Sequence, residues 1–318
     1  MRVIYIILIL MGLIARRGIL KGREGGKMVS VVYEAPNSIS EAVKLLKEAK
    51  IPARVLAGGT DLIIQTNSSE DQSRLIVDVK KIDGMLDAKL SKDGLELGPS
   101  MCCAELTARE DIKHIFPGLV EAAYLIGSTQ VQGRASIGGN LCNASPAADT
   151  IPALIANKAV CVISGPDRER NVAVEDFVTG VGTNCLECGE LLSLIKVPMP
   201  PERASDAYLR FIPRTEMDIA VAGAGVSLVF NDQDICVSAR VAIGAVAPTA
   251  LLVESAAECL IGTKLDDVAL ENAARAASDA SSPITDRRGT SEYRRHVVGV
   301  LVKRASMVAK QRALGEKV

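Results

Sequence analysis

The chain of 318 residues has no tryptophan, and only 3% of it is aromatic. Such scarcity speaks against the stacked aromatic platforms that bind single-stranded nucleic acid. A formal net charge of −1 removes any broad attraction to nucleic acid or to an anionic membrane. His114 and His296 are the only histidines, which leaves little material for a triad or a multi-histidine metal site. Residues 3–13 form an apolar run, but a membrane-spanning helix needs about 20 such residues. Most nearby basic residues follow that run, and no Ala-x-Ala site closes it, so it does not have the layout of a secretory signal. The reading we favour is that translation begins at Met28, with residues 1–27 an extension outside the fold.

What is present suits a folded protein: 48% hydrophobic and 24% charged residues. This length makes two domains the prior. Eight cysteines without regular pairing read as reduced cytosolic thiols, not as a disulfide framework. Cys185 and Cys188 form a CxxC that could supply half a metal site. No second CxxC completes it, and the flanking glycines read as a surface loop.

From residue 29 onward the pattern mixes strands and helices. Ser38 followed by Glu41 makes a capping-box pattern ahead of the amphipathic set Ala42, Leu45, Leu46 and Ala49. Strands are expected at 31–33, 55–57, 75–79, 95–97, 160–163 and 191–197, and helices around 104–110 and 119–126. Pro198, Pro200 and Pro201 interrupt the last strand, and a domain boundary is placed there. Beyond it, residues 220–230 and 236–246 suit long paired strands. Helices are expected at 253–260, 266–279 and 291–313, the last carrying an apolar stripe of Val297, Leu301, Ala305 and Val308.

Two glycine-rich turns are the candidates for chemistry: Ala57-Gly58-Gly59-Thr60-Asp61 and Ser136-Ile137-Gly138-Gly139-Asn140. Without side chains, backbone N–H groups can crowd onto an anion, and neighbouring hydroxyls or amides add directed bonds. Either pair alone is more often a plain turn; two together suit the two phosphates of a dinucleotide. No GxxxxGK[ST] occurs, so a P-loop is excluded. Gly223-Ala224-Gly225 lacks a third glycine and lies in a strand-like run, which speaks against a Rossmann site.

These residues carry a resemblance. Leu56 to Leu62 resembles the first pyrophosphate loop of the FAD domain of molybdenum hydroxylases, the family of carbon monoxide dehydrogenase and xanthine dehydrogenase. The run from Ser136 through Asn140-Leu141-Cys142-Asn143-Ala144-Ser145-Pro146-Ala147-Ala148-Asp149-Thr150 is similar to its second, longer signature. Residues 243–249 and 286–294 resemble the second domain of the same medium subunit, so the likeness covers roughly residues 29–315.

The resemblance implies an α+β fold. A two-lobed FAD-binding domain at 28–203, a small βα lobe plus an antiparallel-sheet lobe, precedes a C-terminal domain of antiparallel sheet and helices at 204–318. It implies FAD held by Ala57, Gly58, Gly59 and Thr60 at the diphosphate, with Asp61 setting that loop. Ser136, Gly139 and Asn140 would line the opposite side. Asp149 would accept hydrogen bonds from FAD, Leu192 would pack on the flavin, and Arg210 would stand where the family usually has lysine. Implied partners are a molybdopterin-binding large subunit, a 2Fe-2S small subunit and an acceptor (NAD, a quinone or oxygen), in a cytoplasmic complex whose peripheral membrane contact is left open. No catalytic or metal residue is expected in this chain.

Plainer roles stand beside these. Asp61 and Asp149 each suit a helix cap, Arg210 suits a surface ion pair, and Cys142 suits a small packed hydrophobe. Two other functions stay open: a stand-alone FAD oxidoreductase of this fold, and an assembly module that has lost FAD.

Overall fold

The computed structural model describes residues 17–24, 27–68, 73–214 and 217–316. The apolar run at 3–13 lies outside them.

The first lobe is a four-stranded sheet in the order β1-β2-β4-β3, with β1 Arg17–Glu24, β2 Lys27–Glu34, β3 Ala53–Leu56 and β4 Arg74–Asp78. β2, β4 and β3 run parallel. Each parallel connection therefore crosses over through a helix, Ile39–Glu48 or Leu62–Ser68. Ser38 caps the first of these, its hydroxyl accepting from Glu41 N at 3.2 Å. The Glu41 carboxylate reaches back to Asn37 N at 2.9 Å, one residue earlier than a strict capping box. β1 pairs antiparallel with β2 from Arg17↔Glu34 to Glu24↔Lys27. Arg17–Glu24, assigned above to an extension outside the fold, is thus an edge strand, since its backbone groups find the open side of β2.

The second lobe is a five-stranded sheet in the order β5-β6-β11-β7-β8, antiparallel throughout. Its strands are β5 Ala88–Ser91, β6 Gly94–Leu97, β7 Val160–Ser164, β8 Glu169–Ala173 and β11 Leu191–Pro198. A small hairpin, β9 Val178–Gly180 with β10 Thr183–Asn184, stands apart from it. The core of this lobe gathers Leu95, Leu97, Phe116, Ile137, Leu141, Phe177 and Ile195. The helix expected at 104–110 is broken into Cys103–Thr107 and Glu110–Ile115, with the chain extended at Arg109 (ψ 92°).

The third sheet, β12-β13-β14-β15, comprises Ala204–Phe211, Ala222–Phe230, Cys236–Gly244 and Leu251–Leu252. Helices Glu254–Leu260, Asp267–Ala280 and Ser291–Ala313 complete this part of the chain. Val297, Leu301 and Ala305 are buried as the apolar stripe requires, and Ala309 is buried where Val308 is only partly so. A helix whose every residue is buried, Thr150–Ala156, sits against β13 and β14. Close approach explains the glycines there: a Cβ on Gly225 would lie 2.6 Å from the Pro152 carbonyl oxygen, and one on Gly244 would lie 2.7 Å from Pro152 Cγ. Asp206 ties this sheet to the second lobe, accepting from Gly118 N at 3.0 Å, Leu119 N at 3.1 Å and Asn157 Nδ2 at 2.6 Å. Among the described residues no helix is long and apolar enough to cross a membrane.

Candidate functional site

Parallel strands end together on one side of their sheet, and ligands in such sheets bind beyond the carboxyl ends. The first glycine turn lies there, directly after β3. A cavity of about 590 Å³ opens between this edge and the second lobe, within the usual range for a ligand site. Ala57, Gly58, Gly59, Thr60 and Asp61 form one wall; Ser136, Gly138, Gly139 and Asn140 form another. Leu192, on β11, lines it too, as do the apolar Leu46, Ala49, Ile51 and Ala53. Gln65 Nε2 donates to Asn143 Oδ1 at 2.9 Å and so links the helices that carry the two turns.

The turns are built differently. At the first, a Cβ on Gly58 would stand 1.7 Å from the Arg134 carbonyl oxygen, so only glycine fits; Gly59 has φ +80°. Among the described residues the N–H groups of Gly58, Gly59 and Thr60 have no backbone acceptor, which leaves them for an anion. At the second, Gly138 N donates to the Pro99 carbonyl at 2.9 Å and Asn140 N to the Ser136 carbonyl at 2.9 Å. Gly139 N donates to Ser136 Oγ at 3.2 Å, the N-cap bond of helix Ile137–Asn143. The N–H groups of Gly138, Gly139 and Asn140 are thus occupied. What this turn offers is a close surface: a Cβ on Gly139 would meet only Ser136 Oγ.

Asp149 and Arg210 are not on the cavity lining. They form a buried ion pair, Arg210 Nη1 to Asp149 Oδ2 at 2.6 Å, and the Tyr208 hydroxyl donates to Asp149 Oδ1 at 2.8 Å. Asp149 occupies the N-cap position of Thr150–Ala156, yet its side chain makes no capping bond. Burial pushes its carboxyl up to about 6, against the lowering effects of Arg210 and Tyr208. Arg210 is not a surface residue: its side chain is 5% exposed, and its Nε is buried with no partner among the described residues. Asn140 connects this cluster to the second turn, its Oδ1 accepting from Thr150 Oγ1 at 2.6 Å.

Nine of the eleven residues expected from sequence therefore share one cavity, and two form a pair outside its lining. Sequence reasoning missed the wall made by the CxxC loop. Leu186, Glu187 and Cys188 line the cavity. Arg170 holds the loop through Glu190, with Nε at 2.8 Å and Nη2 at 2.7 Å. Its signal was the glycine at 189, with φ +85°, packed on Lys47. Among the described residues no three metal-ligating side chains cluster.

The arrangement fits FAD. One cavity is lined by a turn whose Gly58, Gly59 and Thr60 N–H groups have no backbone acceptor among the described residues, by a second glycine turn, and by apolar side chains.

Comparison with known proteins points the same way. Residues 27–200 match the family described as the FAD binding domain in molybdopterin dehydrogenase, and residues 207–309 match the CO dehydrogenase flavoprotein C-terminal domain. The carbon monoxide dehydrogenase medium chain of Afipia carboxidovorans is 34% identical over 88% of this chain and 97% of its own length. The xanthine dehydrogenase FAD-binding subunit of Escherichia coli O157:H7 is 28% identical, over 86% of this chain and 93% of its own. The solved structure of reconstituted CO dehydrogenase from Oligotropha carboxidovorans superposes with a TM-score of 0.84 at 32% identity, covering 88% of this chain and 97% of that one. With both domains matched and FAD their cofactor, this chain belongs to the family of FAD-binding medium subunits of the molybdenum hydroxylases.

Proposed function

We propose that this chain is the electron-relay subunit of a multi-subunit molybdenum hydroxylase. A molybdopterin-binding large subunit oxidises substrate, and a 2Fe-2S small subunit passes the electrons to the FAD held here. Bound FAD supplies two-electron storage and delivery to NAD, a quinone or oxygen. The observation that carries this reading is the single cavity that gathers both glycine turns and Leu192. Ala57, Gly58, Gly59 and Thr60 hold the diphosphate through backbone N–H groups, and Asp61 sets the end of that loop, its carbonyl accepting from Gln65 N at 2.9 Å. Ser136, Gly139 and Asn140 line the other side, and Leu192 packs on the ring. Asp149 would keep Arg210 in place, and the Arg210 cation, lying outside the cavity lining, would act on the bound flavin only through its electrostatic field, favouring negative charge there. We assign residues 28–203, joined by Lys27 and the edge strand Arg17–Glu24 of the same sheet, to the FAD-binding domain and 204–318 to the C-terminal domain. All eight cysteines are free, which supports a reducing, cytoplasmic setting.

The FAD-loaded chain alone, offered CO, purines and aldehydes with a dye acceptor, should show no turnover. Activity should arise when the iron–sulfur and molybdopterin subunits are added. Robust turnover by the lone chain would overturn the relay and favour a self-sufficient oxidoreductase.

A further inference from the structure

The first glycine turn lies beyond the last rung of β3, so its shape needs support from elsewhere. Lys80 provides it. Its Nζ donates to the Ala57 carbonyl at 2.9 Å and to Asp78 Oδ1 at 2.7 Å. Asp78, the last residue of β4, also accepts from Lys80 N at 3.1 Å and, on Oδ2, from the Tyr33 hydroxyl at 2.6 Å. Tyr33 belongs to β2 and is 1% exposed. One chain of bonds thus ties the carboxyl ends of all three parallel strands to the turn. The Lys80 side chain is 24% exposed; burial lowers its pKa, and the Asp78 charge opposes that lowering. Arg134, whose carbonyl abuts Gly58, is near enough for its charge to disfavour that of Lys80. Two cations therefore stand by a turn whose Gly58, Gly59 and Thr60 N–H groups have no backbone acceptor among the described residues.

We propose that Lys80 is a positioning residue for the FAD diphosphate: by holding the Ala57 carbonyl it aims the N–H groups of Gly58, Gly59 and Thr60 at the cavity. This rests on the reading that the diphosphate lies on the first turn. A bond from an ammonium to a carbonyl is stronger than a neutral one, and here it fixes the peptide that opens the turn. A neutral side chain of similar length keeps the packing and loses that restraint.

The test measures FAD and ADP affinity of the flavin-free full chain, with its thermal unfolding, for wild type, Lys80→Met, Lys80→Arg and Thr60→Glu. Lys80→Met should raise the Kd for both ligands about tenfold, the value of one charge-assisted bond. Its flavin-free form should melt lower than wild type, since Asp78 loses its countercharge, yet remain folded at the temperature of the binding assay, and Lys80→Arg should restore most of the affinity. Wild-type affinity in Lys80→Met overturns the proposal, as does a loss of affinity that tracks a loss of folding and is not rescued by arginine. Should Lys80→Met not fold, Tyr33→Phe loosens the same chain and should weaken FAD about threefold; no change there overturns the role. Thr60→Glu sets a carboxylate against the phosphates. FAD retained by Thr60→Glu refutes the placement of the diphosphate, whereas FAD lost there but kept by Lys80→Met refutes the lysine's part alone.

Discussion

Both glycine pairs face one cavity, yet their backbone donors have different fates. Among the described residues the N–H groups of Gly58 and Gly59 find no backbone acceptor, and the turn is held from behind by the Lys80 bond to the Ala57 carbonyl. At Gly138 and Gly139 the N–H groups go to the Pro99 carbonyl and Ser136 Oγ. Each pair includes one glycine that exists for packing, Gly58 against Arg134 and Gly138 against Pro99. The partners differ: Gly59 supplies a positive φ, while Gly139 presents a bare surface to the cavity. The lesson is that one sequence signature serves two tasks, donation at one turn and close approach at the other.

The largest expected effect sets a packing glycine against a surface glycine. Gly58→Ala should destabilise the flavin-free chain by more than ~3 kcal/mol, because its methyl would overlap backbone that cannot move aside. Gly139→Ala should cost only about 1 kcal/mol, since its methyl meets a single atom, Ser136 Oγ at 2.8 Å, and the gain in helix propensity offsets part of the disturbed cap bond. Urea unfolding measures both, and equal costs would break the comparison. Next in size, Gly139→Val should leave the flavin-free chain folded, at a cost of about one N-cap bond, while lowering FAD affinity about a hundredfold, its methyl groups filling space the cofactor needs. A variant that retains wild-type FAD content would reduce the second turn to a structural bend.

The smallest effect separates the supports behind the turns. Asp149 lies behind the second, and its carboxyl is pushed up to about 6 by burial. The folded state then binds that proton more tightly than the unfolded chain does. Its contribution to stability is present in full below about pH 4 and is lost as pH rises through about 6. Relative to Asp149→Asn, wild type should therefore lose on the order of 1–2 kcal/mol between those limits. Chemical denaturation of both proteins across pH 4–7 measures this, and parallel profiles would show that Asp149 is ionised as freely in the fold as outside it.

Much of the fold was legible along the chain. Helix Ile39–Glu48 was visible in its cap and apolar spacing, and the last helix, Ser291–Ala313, in its stripe. β12 was missed because its residues 205–208 are all buried, Ser205 and Asp206 included, which erases the alternation of a half-buried strand. β5 and β8 are short edge strands with half-exposed residues, too weakly patterned to be seen. For the site, both turns were readable, since glycine pairs flanked by polar side chains leave a local mark. Lys80 was not, because one lysine after a strand resembles any solvated charge until its partners are known.

Composition, capping and apolar spacing are local, and they determined most of the elements, their order and the two turns. Which turn keeps its donors free was decided only in three dimensions. It depends on where Arg134 and Pro99 press against glycines, and on Lys80 meeting Ala57 from 23 residues away. Arg210 likewise meets Asp149 across 61 residues. Hydrogen-bond donors are claimed by whatever acceptor folding brings near them, and no pattern of neighbours along the chain records that choice.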